Sequence, residues 1–341
     1  MRERPRAFLF DCDGTLFETE SLKARSWGVG MVRYLRDRGD FPEEELKRVE
    51  EEVSAMYQAG GTRDKAAHDI LKRCEGRFSP EIDRIIRSMD VNQLIALRLA
   101  ARDEILDKAF PRTGPSGNGG SSQAIRPVWA LAVAAKRQGY PVALVTNAER
   151  EWVERYFHAS GFEDHQGNTV DSPERFFGVA VCGKEKGIGV KEAVCRVLGR
   201  LSPGEAPGDD EIEAVFSGIP AEEVRCFIIV EDSADGVKAA RSTGVRAIAV
   251  PNHFTRNDFP HLMLSYAQLA EMSLGQVVDA LEQLQGADGH PSVNGAAGMQ
   301  RKVSGIQSQG TGFRRMDKGR QGKTATREAP GRARKREELG T

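Results

Sequence analysis

The sequence predicts an α/β fold: a doubly wound parallel sheet, with an all-helical insertion and a disordered C-terminal tail. Three observations support this prediction. Short apolar runs alternate with helical stretches, one long helical block interrupts that alternation, and the last residues lose all apolar periodicity. Short continuous apolar runs separated by helices are typical of parallel strands that are buried on both faces.

Five short runs rich in β-branched or aromatic residues are the predicted strands. They lie at residues 7–10, 142–145, 179–182, 227–230 and 247–250. The segments between the later runs have helical patterns, at residues 128–138, 150–159, 190–198 and 235–242. Strand–helix alternation of this kind favours one sheet with helices packed on both of its faces.

The stretch from residue 18 to 111 differs because it contains no convincing strand run. Instead, Leu94, Leu97, Ala101 and Ile105 recur at helical spacing. A helical block inserted directly after the first strand is expected to cover whatever that strand presents at its end. We therefore predict a helical cap at 18–111 and a core formed by residues 1–17 and 112–285.

The C-terminal segment, residues 286–341, contains 12 Lys and Arg against 5 Asp and Glu, and is rich in Gly, Ser and Gln. Such a segment cannot bury enough apolar surface to offset its ordering entropy, which predicts a disordered basic tail. The tail could contact nucleic acid through its charge, or be a solvated extension without a role.

The composition excludes several other classes of protein. The whole chain has 49 Lys and Arg against 50 Asp and Glu, so its net charge of −1 gives no indication of a nucleic-acid or membrane partner. No run approaches the ~18 apolar residues of a membrane span. The five cysteines are scattered and form no CxxC pair, which indicates reduced thiols in a cytoplasmic protein.

Three of the predicted strands end in polar side chains. These are Asp11 and Asp13 after the first strand, Thr146 and Asn147 after the second, and Glu231 and Asp232 after the fourth. Ligands of open α/β sheets bind beyond the carboxyl ends of the strands. Carboxylates from separate segments form sites for hard cations, although an Asp-Gly pair is also common in ordinary turns.

The segment 11–16, Asp-Cys-Asp-Gly-Thr-Leu, resembles the first motif of the haloacid dehalogenase (HAD) superfamily. Residues 146–147 resemble its second motif and residues 231–240 its fourth. The helical insertion is similar to the C1 cap of the branch that contains β-phosphoglucomutase and phosphoglycolate phosphatase. The resemblance covers about residues 7–285 and implies a Rossmann-like core beneath that cap.

The resemblance also implies roles for individual residues. Asp11 would be the nucleophile that forms an aspartyl-phosphate, and Asp13 the general acid and base. Thr146 and Asn147 would bind the phosphate. The cofactor would be Mg²⁺, held by Asp11, the backbone carbonyl of Asp13 and Asp232, with Glu231 binding directly or through water.

Two further residues are harder to assign. The family's third motif is a lysine, but its usual sequence is replaced here by residues 184–191. We prefer Lys184 because it closely follows the third predicted strand, with Lys186 nearly equal and also a candidate for phosphate binding, and Lys191 third.

In the insertion, residues 60–65 resemble the family's substrate loop, with Arg63 as a substrate-binding residue. An ordinary helix start is the alternative.

The function implied is a Mg²⁺-dependent phosphatase that acts on a small phosphorylated metabolite. Within the family, Asp13 favours phosphate esters, because dehalogenases and phosphonatases lack an acid at that position. A sugar phosphomutase is the alternative enzyme. A non-catalytic binding or regulatory protein that uses the basic tail is the alternative of another class. The sequence identifies neither the substrate nor the oligomeric state.

Overall fold

A five-stranded, all-parallel sheet forms the centre of the protein in this computed structural model, which describes residues 4–57, 63–111, 123–252, 255 and 264–287. The strands of the sheet are β1 (Ala7–Phe10), β2 (Val142–Thr146), β5 (Val179–Cys182), β6 (Phe227–Glu231) and β7 (Arg246–Ala249), and β3 (Phe162–Glu163) pairs with β4 (Thr169–Val170) in a separate hairpin. The order across the sheet is β5-β2-β1-β6-β7.

All five predicted strands are confirmed, each to within one residue at its ends. β1 is the central strand, and Phe8 pairs with Val142 on one side and with Ile228 on the other. The segment after β1 therefore lies between the ends of β2 and β6, which carry the other polar motifs.

The described part of residues 18–111 forms five helices: α1 (Glu20–Arg36), α2 (Glu43–Met56), α3 (Arg63–Cys74), α4 (Pro80–Arg87) and α5 (Val91–Ala109). Their buried side chains, which include Trp27, Val49, Ile70 and Leu94, form a hydrophobic cluster of their own. The predicted helical stripe lies on α5, where Leu94 and Ala101 are buried. The role of this insertion as a cap, with the boundaries given above, stays a prediction.

Two glycines of α1 bring the helices of the insertion close together. A Cβ atom at Gly28 would lie 2.2 Å from the carbonyl oxygen of Glu50 in α2, and one at Gly30 would lie 2.9 Å from the backbone nitrogen of Arg98 in α5. Any larger side chain would force α1 away from both neighbours, because real Cβ atoms do not approach other atoms so closely. These glycines thus set the packing of the insertion.

The remaining helices pack on the sheet or beside it: α6 (Arg126–Arg137), α7 (Arg150–Ser160), α8 (Pro173–Phe176), α9 (Lys186–Val197), α10 (Asp209–Ser217), α11 (Ala221–Arg225), α12 (Ala234–Ser242), α13 (Tyr266–Glu271) and α14 (Leu274–Ala287). The side chains of β1 show that helices cover both faces of the sheet. Phe8 and Phe10 belong to the hydrophobic cluster that contains α6, whereas Leu9 belongs to the cluster that contains α9 and α12. The doubly wound architecture is therefore confirmed.

The chain connects the core to the insertion at two places, and the residues at both places pack against α7. Phe17 packs edge-on against Phe110 and Phe157, with ring centroids 6.1 and 5.2 Å apart. Arg155 of α7 donates a hydrogen bond to the carbonyl of Phe110 at 2.9 Å and forms an ion pair with Asp107 at 2.5 Å. The ends of the insertion are thus fixed to the core.

No helix in the described part of the chain is long and apolar enough to cross a membrane. Helix α14 continues to Ala287, so the predicted tail begins at least two residues later than residue 286. Residues 288–341, on which the prediction of a disordered tail depends, lie outside the described residues.

Candidate active site

Asp11 is the first residue beyond the central strand, and its backbone N–H donates to the carbonyl of Val230 at 3.0 Å. Three residues later the chain turns sharply at Gly14, which has a φ of +74°. A Cβ atom at Gly14 would lie 2.2 Å from Oδ2 of Asp232. Gly14 is therefore required both by its backbone conformation and by the close approach of Asp232.

Lys186 is the lysine that contacts Asp11. It begins α9, is 8 % exposed, and its Nζ donates to Oδ1 of Asp11 and to the Val145 carbonyl, the latter at 3.2 Å. The same Nζ lies 2.9 Å from Oε2 of Glu231. Burial alone would lower the pKa of Lys186, but the negative charges of Asp11 and Glu231 raise it above its ordinary value. Lys186 therefore carries a positive charge between two acids.

This geometry corrects our preference for Lys184. The Nζ of Lys184 lies 3.1 Å from Oδ1 of Asp209 and 3.5 Å from Oε2 of Glu192, so it binds the start of α10 instead. Lys191 forms an ion pair with Glu213. The position at which α9 begins explains why Lys186, and not Lys184, contacts Asp11. Glu185 caps the helix by accepting from the backbone of Ile188, and this directs the next residue to the sheet.

Three buried carboxylates meet at this edge of the sheet. One oxygen each of Asp11, Glu231 and Asp232 lies within 4.8 Å of the others. Asp232 accepts hydrogen bonds from the Thr15 hydroxyl at 3.1 Å and from Nδ2 of Asn252 at 2.8 Å. The contact from Asn252 reaches the site from beyond β7, and no sequence motif pointed to it.

The carboxylate cluster has more negative charge than Lys186 can neutralise. Burial, followed by the charge of Glu231, raises the pKa of Asp11 to about 7. Burial and the charges of Glu231 and Asp11 raise the pKa of Asp232 well above its ordinary value. Clustered oxygen donors with uncompensated negative charge suit a hard divalent cation. The three carboxylates could therefore hold a divalent cation.

Glu231 is held in place by the start of α12. Its Oε1 accepts a hydrogen bond from the Ser233 hydroxyl at 2.7 Å, and the Ser233 oxygen in turn accepts from the Gly236 backbone at 3.1 Å. Ser233 is thus the N-cap of α12. A Cβ atom at Gly236 would lie 2.2 Å from the carboxyl carbon of Glu231, so only glycine leaves room for this side chain.

The side chain of Asp13 contacts the helical insertion instead of the three-carboxylate cluster. The Thr19 hydroxyl donates to its Oδ1 at 2.7 Å, and Nζ of Lys23 in α1 lies 3.1 Å from its Oδ2. Burial would raise the pKa of Asp13, but the Lys23 charge and the Thr19 hydrogen bond together lower it. Sequence reasoning missed Thr19 and Lys23, because neither belongs to a motif.

The contacts continue into the insertion beyond Lys23. Its Nζ lies 2.7 Å from Oε1 of Glu20, and the Tyr57 hydroxyl donates to Oε2 of Glu20 at 3.0 Å. Glu20 and Lys23 both lie in the first turns of α1, immediately after the motif that follows β1. A continuous chain of polar contacts therefore leads from Asp13 to the interior of the insertion.

The other predicted residues lie at different places. Thr146 is buried at the end of β2 and accepts a hydrogen bond from the Ala148 backbone at 3.1 Å, whereas the next residue, Asn147, is exposed. Arg63 is exposed at the first position of α3. Residues 60–62 of the predicted substrate loop lie outside the described residues.

Comparison with known proteins bears on this site. A family model described as haloacid dehalogenase-like hydrolase matches residues 5–244. Among curated proteins, none matches the sequence significantly.

Several solved structures are similar in fold. A complex of CbbY from Rhodobacter sphaeroides with xylulose-(1,5)-bisphosphate is 19 % identical, covers 78 % of this chain and 96 % of its own, and gives a TM-score of 0.43. An archaeal β-phosphoglucomutase from Pyrococcus is 16 % identical over 81 % and 99 % of the two chains, with a TM-score of 0.46. A family IA hydrolase from Entamoeba histolytica is 18 % identical over 81 % and 99 %, with a TM-score of 0.44.

Proposed function

The chain belongs to the haloacid dehalogenase-like hydrolases, and from this premise we propose that it is a Mg²⁺-dependent phosphatase. Its substrate would be a small phosphorylated metabolite, hydrolysed through an aspartyl-phosphate on Asp11. The observation that carries the proposal is the buried Asp11 carboxylate, which contacts Lys186 and shares its edge of the sheet with Glu231 and Asp232. A protein that only bound a partner would have no use for this costly burial of charge.

In the first step, an oxygen of Asp11 attacks phosphorus and the bond from phosphorus to the ester oxygen breaks. Lys186 would keep the attacking carboxylate oriented and neutralise part of the charge that builds up on the phosphoryl group. The hydroxyl of Thr15, which contacts Asp11 and Asp232, and Thr146 at the end of β2 would bind the phosphoryl oxygens. Asn147 follows Thr146 and is accessible to a ligand.

Asp13 would supply the proton that the leaving ester oxygen needs. In the second step, Asp13 would take a proton from water as that water attacks the aspartyl-phosphate, which releases inorganic phosphate and restores Asp11. Because Asp13 contacts Thr19 and Lys23 of the insertion, it must exchange these contacts for the substrate oxygen during the cycle.

Mg²⁺ would be held by Asp11, Glu231 and Asp232, with the carbonyl of Asp13 completing the protein ligands. When bound, the ion supplies positive charge that offsets the repulsion between Asp11 and an anionic phosphate. The helices 18–111 would act as a cap that excludes bulk water. From the cysteine pattern of the sequence we also propose that the protein is cytoplasmic.

The test is phosphate release from a panel of phosphorylated metabolites with and without Mg²⁺, for the wild type and for Asp11→Asn. The proposal expects Mg²⁺-dependent release by the wild type, none by the variant, and an acid-stable, hydroxylamine-sensitive phosphoenzyme in the wild type only. Equal phosphate release by both proteins would refute it. An isomerised sugar phosphate without free phosphate would instead identify the mutase alternative.

A further inference from the structure

Tyr266 connects the C-terminal helices to the loop at residues 11–17, which carries Asp11 and Asp13. Its hydroxyl donates a hydrogen bond to the carbonyl oxygen of Gly14 at 2.8 Å, across 252 residues of sequence. No other side chain in the described part of the protein donates a hydrogen bond to the backbone of this loop. Tyr266 belongs to none of the sequence motifs, so the contact arises from the fold alone.

The start of α13 fixes the place of Tyr266. Tyr266 is the first residue of this helix and follows the N-cap Ser265, whose hydroxyl oxygen accepts from the Gln268 backbone at 3.2 Å. Immediately before the cap, the Leu264 N–H donates to the Ala249 carbonyl at the end of β7 at 3.0 Å. Tyr266 is therefore anchored to the sheet through its neighbours, and its hydroxyl can hold a loop in place.

The surroundings of Tyr266 keep its hydroxyl protonated. Burial, followed by the charge of Asp232, raises the pKa of Tyr266 above its ordinary value, and the charges of Glu18 and Glu20 act in the same direction. A protonated phenol is a hydrogen-bond donor. Tyr266 therefore keeps the hydrogen that it donates to Gly14 throughout the neutral pH range.

Gly14 benefits from an external contact because glycine has more backbone freedom than any other residue. Since a peptide group is planar, the hydrogen bond to the Gly14 carbonyl also fixes the orientation of the peptide unit that joins Gly14 to Thr15. The Thr15 hydroxyl lies 3.1 Å from Oδ1 of Asp232 and 3.4 Å from Oδ2 of Asp11. Tyr266 therefore acts, through one peptide unit, on the residue that bridges two carboxylates of the cluster.

Gly14 also lies directly against one of these carboxylates, because a Cβ atom at Gly14 would come within 2.2 Å of Oδ2 of Asp232. On the premise of the Mg²⁺ site proposed above, we propose that Tyr266 is a positioning residue for the metal. By holding the Gly14 carbonyl, it keeps the turn in the conformation in which Asp11 and Asp232 share one ion. The Asp13 carbonyl, the further proposed ligand, directly precedes Gly14 and is held with it.

The test uses Tyr266→Phe, which keeps the ring and removes only the hydroxyl. Calorimetric titration should show about tenfold weaker Mg²⁺ binding than in the wild type, as is typical for residues that orient metal ligands. Tyr34→Phe is the matched control, because the Tyr34 hydroxyl lies 3.4 Å from Oγ of Ser88 inside the helical insertion. It should leave the Mg²⁺ affinity unchanged within about twofold. An unchanged affinity in Tyr266→Phe, or an equal loss in both variants, overturns the inference.

Amide hydrogen exchange of the metal-free proteins separates positioning from a general loss of stability. At exchange times at which β2 and β6 remain protected, residues 14–17 should exchange about fivefold faster in Tyr266→Phe and at the wild-type rate in Tyr34→Phe. Equal exchange of this segment in the two variants overturns the inference. A wild type that binds no Mg²⁺ refutes the proposed metal site and the inference together. Intact Mg²⁺ binding without phosphate release would refute the phosphatase alone and leave the role of Tyr266 standing.

Discussion

Asn252 donates a hydrogen bond from its Nδ2 to Oδ2 of Asp232 at 2.8 Å, and both side chains are buried. The contact fixes the orientation of a carboxylate that would otherwise rotate about its own axis. The other oxygen of Asp232, Oδ1, accepts a hydrogen bond from the Thr15 hydroxyl. Because a carboxylate oxygen has two lone pairs, each oxygen of Asp232 keeps one that could bind a metal. Asn252 thus positions a proposed metal ligand without touching the metal.

We expect Asn252→Ala to weaken Mg²⁺ binding about 10- to 100-fold, because residues that orient metal ligands contribute about that much to affinity. Calorimetric titration with Mg²⁺ measures the effect directly. Asn168→Ala, at an exposed asparagine of the β3–β4 turn, is the matched control and should bind Mg²⁺ like the wild type. An unchanged affinity in Asn252→Ala would show that Asp232 needs no such support.

Replacing Lys186 should lower turnover strongly, whereas replacing Lys184 should leave most of it. Lys186→Met removes the cation that contacts Asp11 and should lower kcat about 10²- to 10³-fold. It should also lower the free energy of unfolding by about 3–5 kcal/mol, because two buried acids lose their ion pair. Lys184→Met, which breaks only partly exposed contacts to Asp209 and Glu192, should keep most of the turnover. The reverse order of activities would restore Lys184 as the catalytic lysine.

Asp11→Asn should abolish turnover and yet stabilise the metal-free protein. Asparagine has nearly the same shape but removes one negative charge from a site in which burial, followed by the charge of Glu231, raises the pKa of Asp11 to about 7. A gain of about 1 kcal/mol corresponds to roughly 2–4 °C in the melting temperature for a domain of this size. Calorimetric melts of both proteins in the presence of a chelator make the comparison. A lower melting temperature would mean that repulsion in the cluster is already relieved.

Gly236→Ala should disrupt the site through sterics alone. The new methyl group would lie 2.2 Å from the carboxyl carbon of Glu231, so either Glu231 or the start of α12 must move. We expect a loss of about 1–3 kcal/mol in the free energy of unfolding, together with weaker Mg²⁺ binding. Urea unfolding and metal titration measure both effects. Gly178→Ala is the control, because a Cβ atom there meets nothing within 4 Å, and comparable losses in both variants would contradict the steric explanation.

The sheet could be predicted because its strands leave a direct signal in the sequence. Runs such as residues 227–230 are short, continuously apolar and separated by helical segments, which is typical of strands buried on both faces. Asp11, Glu231 and Asp232 could be predicted for the same reason, since each follows such a run. Parallel strands bring those ends to one edge whatever the loops do.

The motif lysine and the contacts of Asp13 could not be predicted in the same way. Whether Lys184 or Lys186 reaches the sheet depends on the residue at which α9 starts, and helix starts are local features that shift easily by one or two positions. The contacts of Asp13 with Lys23 and of Asp232 with Asn252 depend on how distant segments pack. No spacing of residues along the chain predicts that packing.

The close packing at Gly28 and Gly30 has a consequence for how the enzyme would open to admit its substrate. Because the backbone of α1 lies against both α2 and α5, these three helices cannot slide past one another without steric clashes. The insertion would therefore move as one rigid body, with hinges at its two connections to the core, near Phe17 and Phe110. Lys23 lies on α1 and would therefore move with the whole insertion, so any such movement would break its ion pair with Asp13.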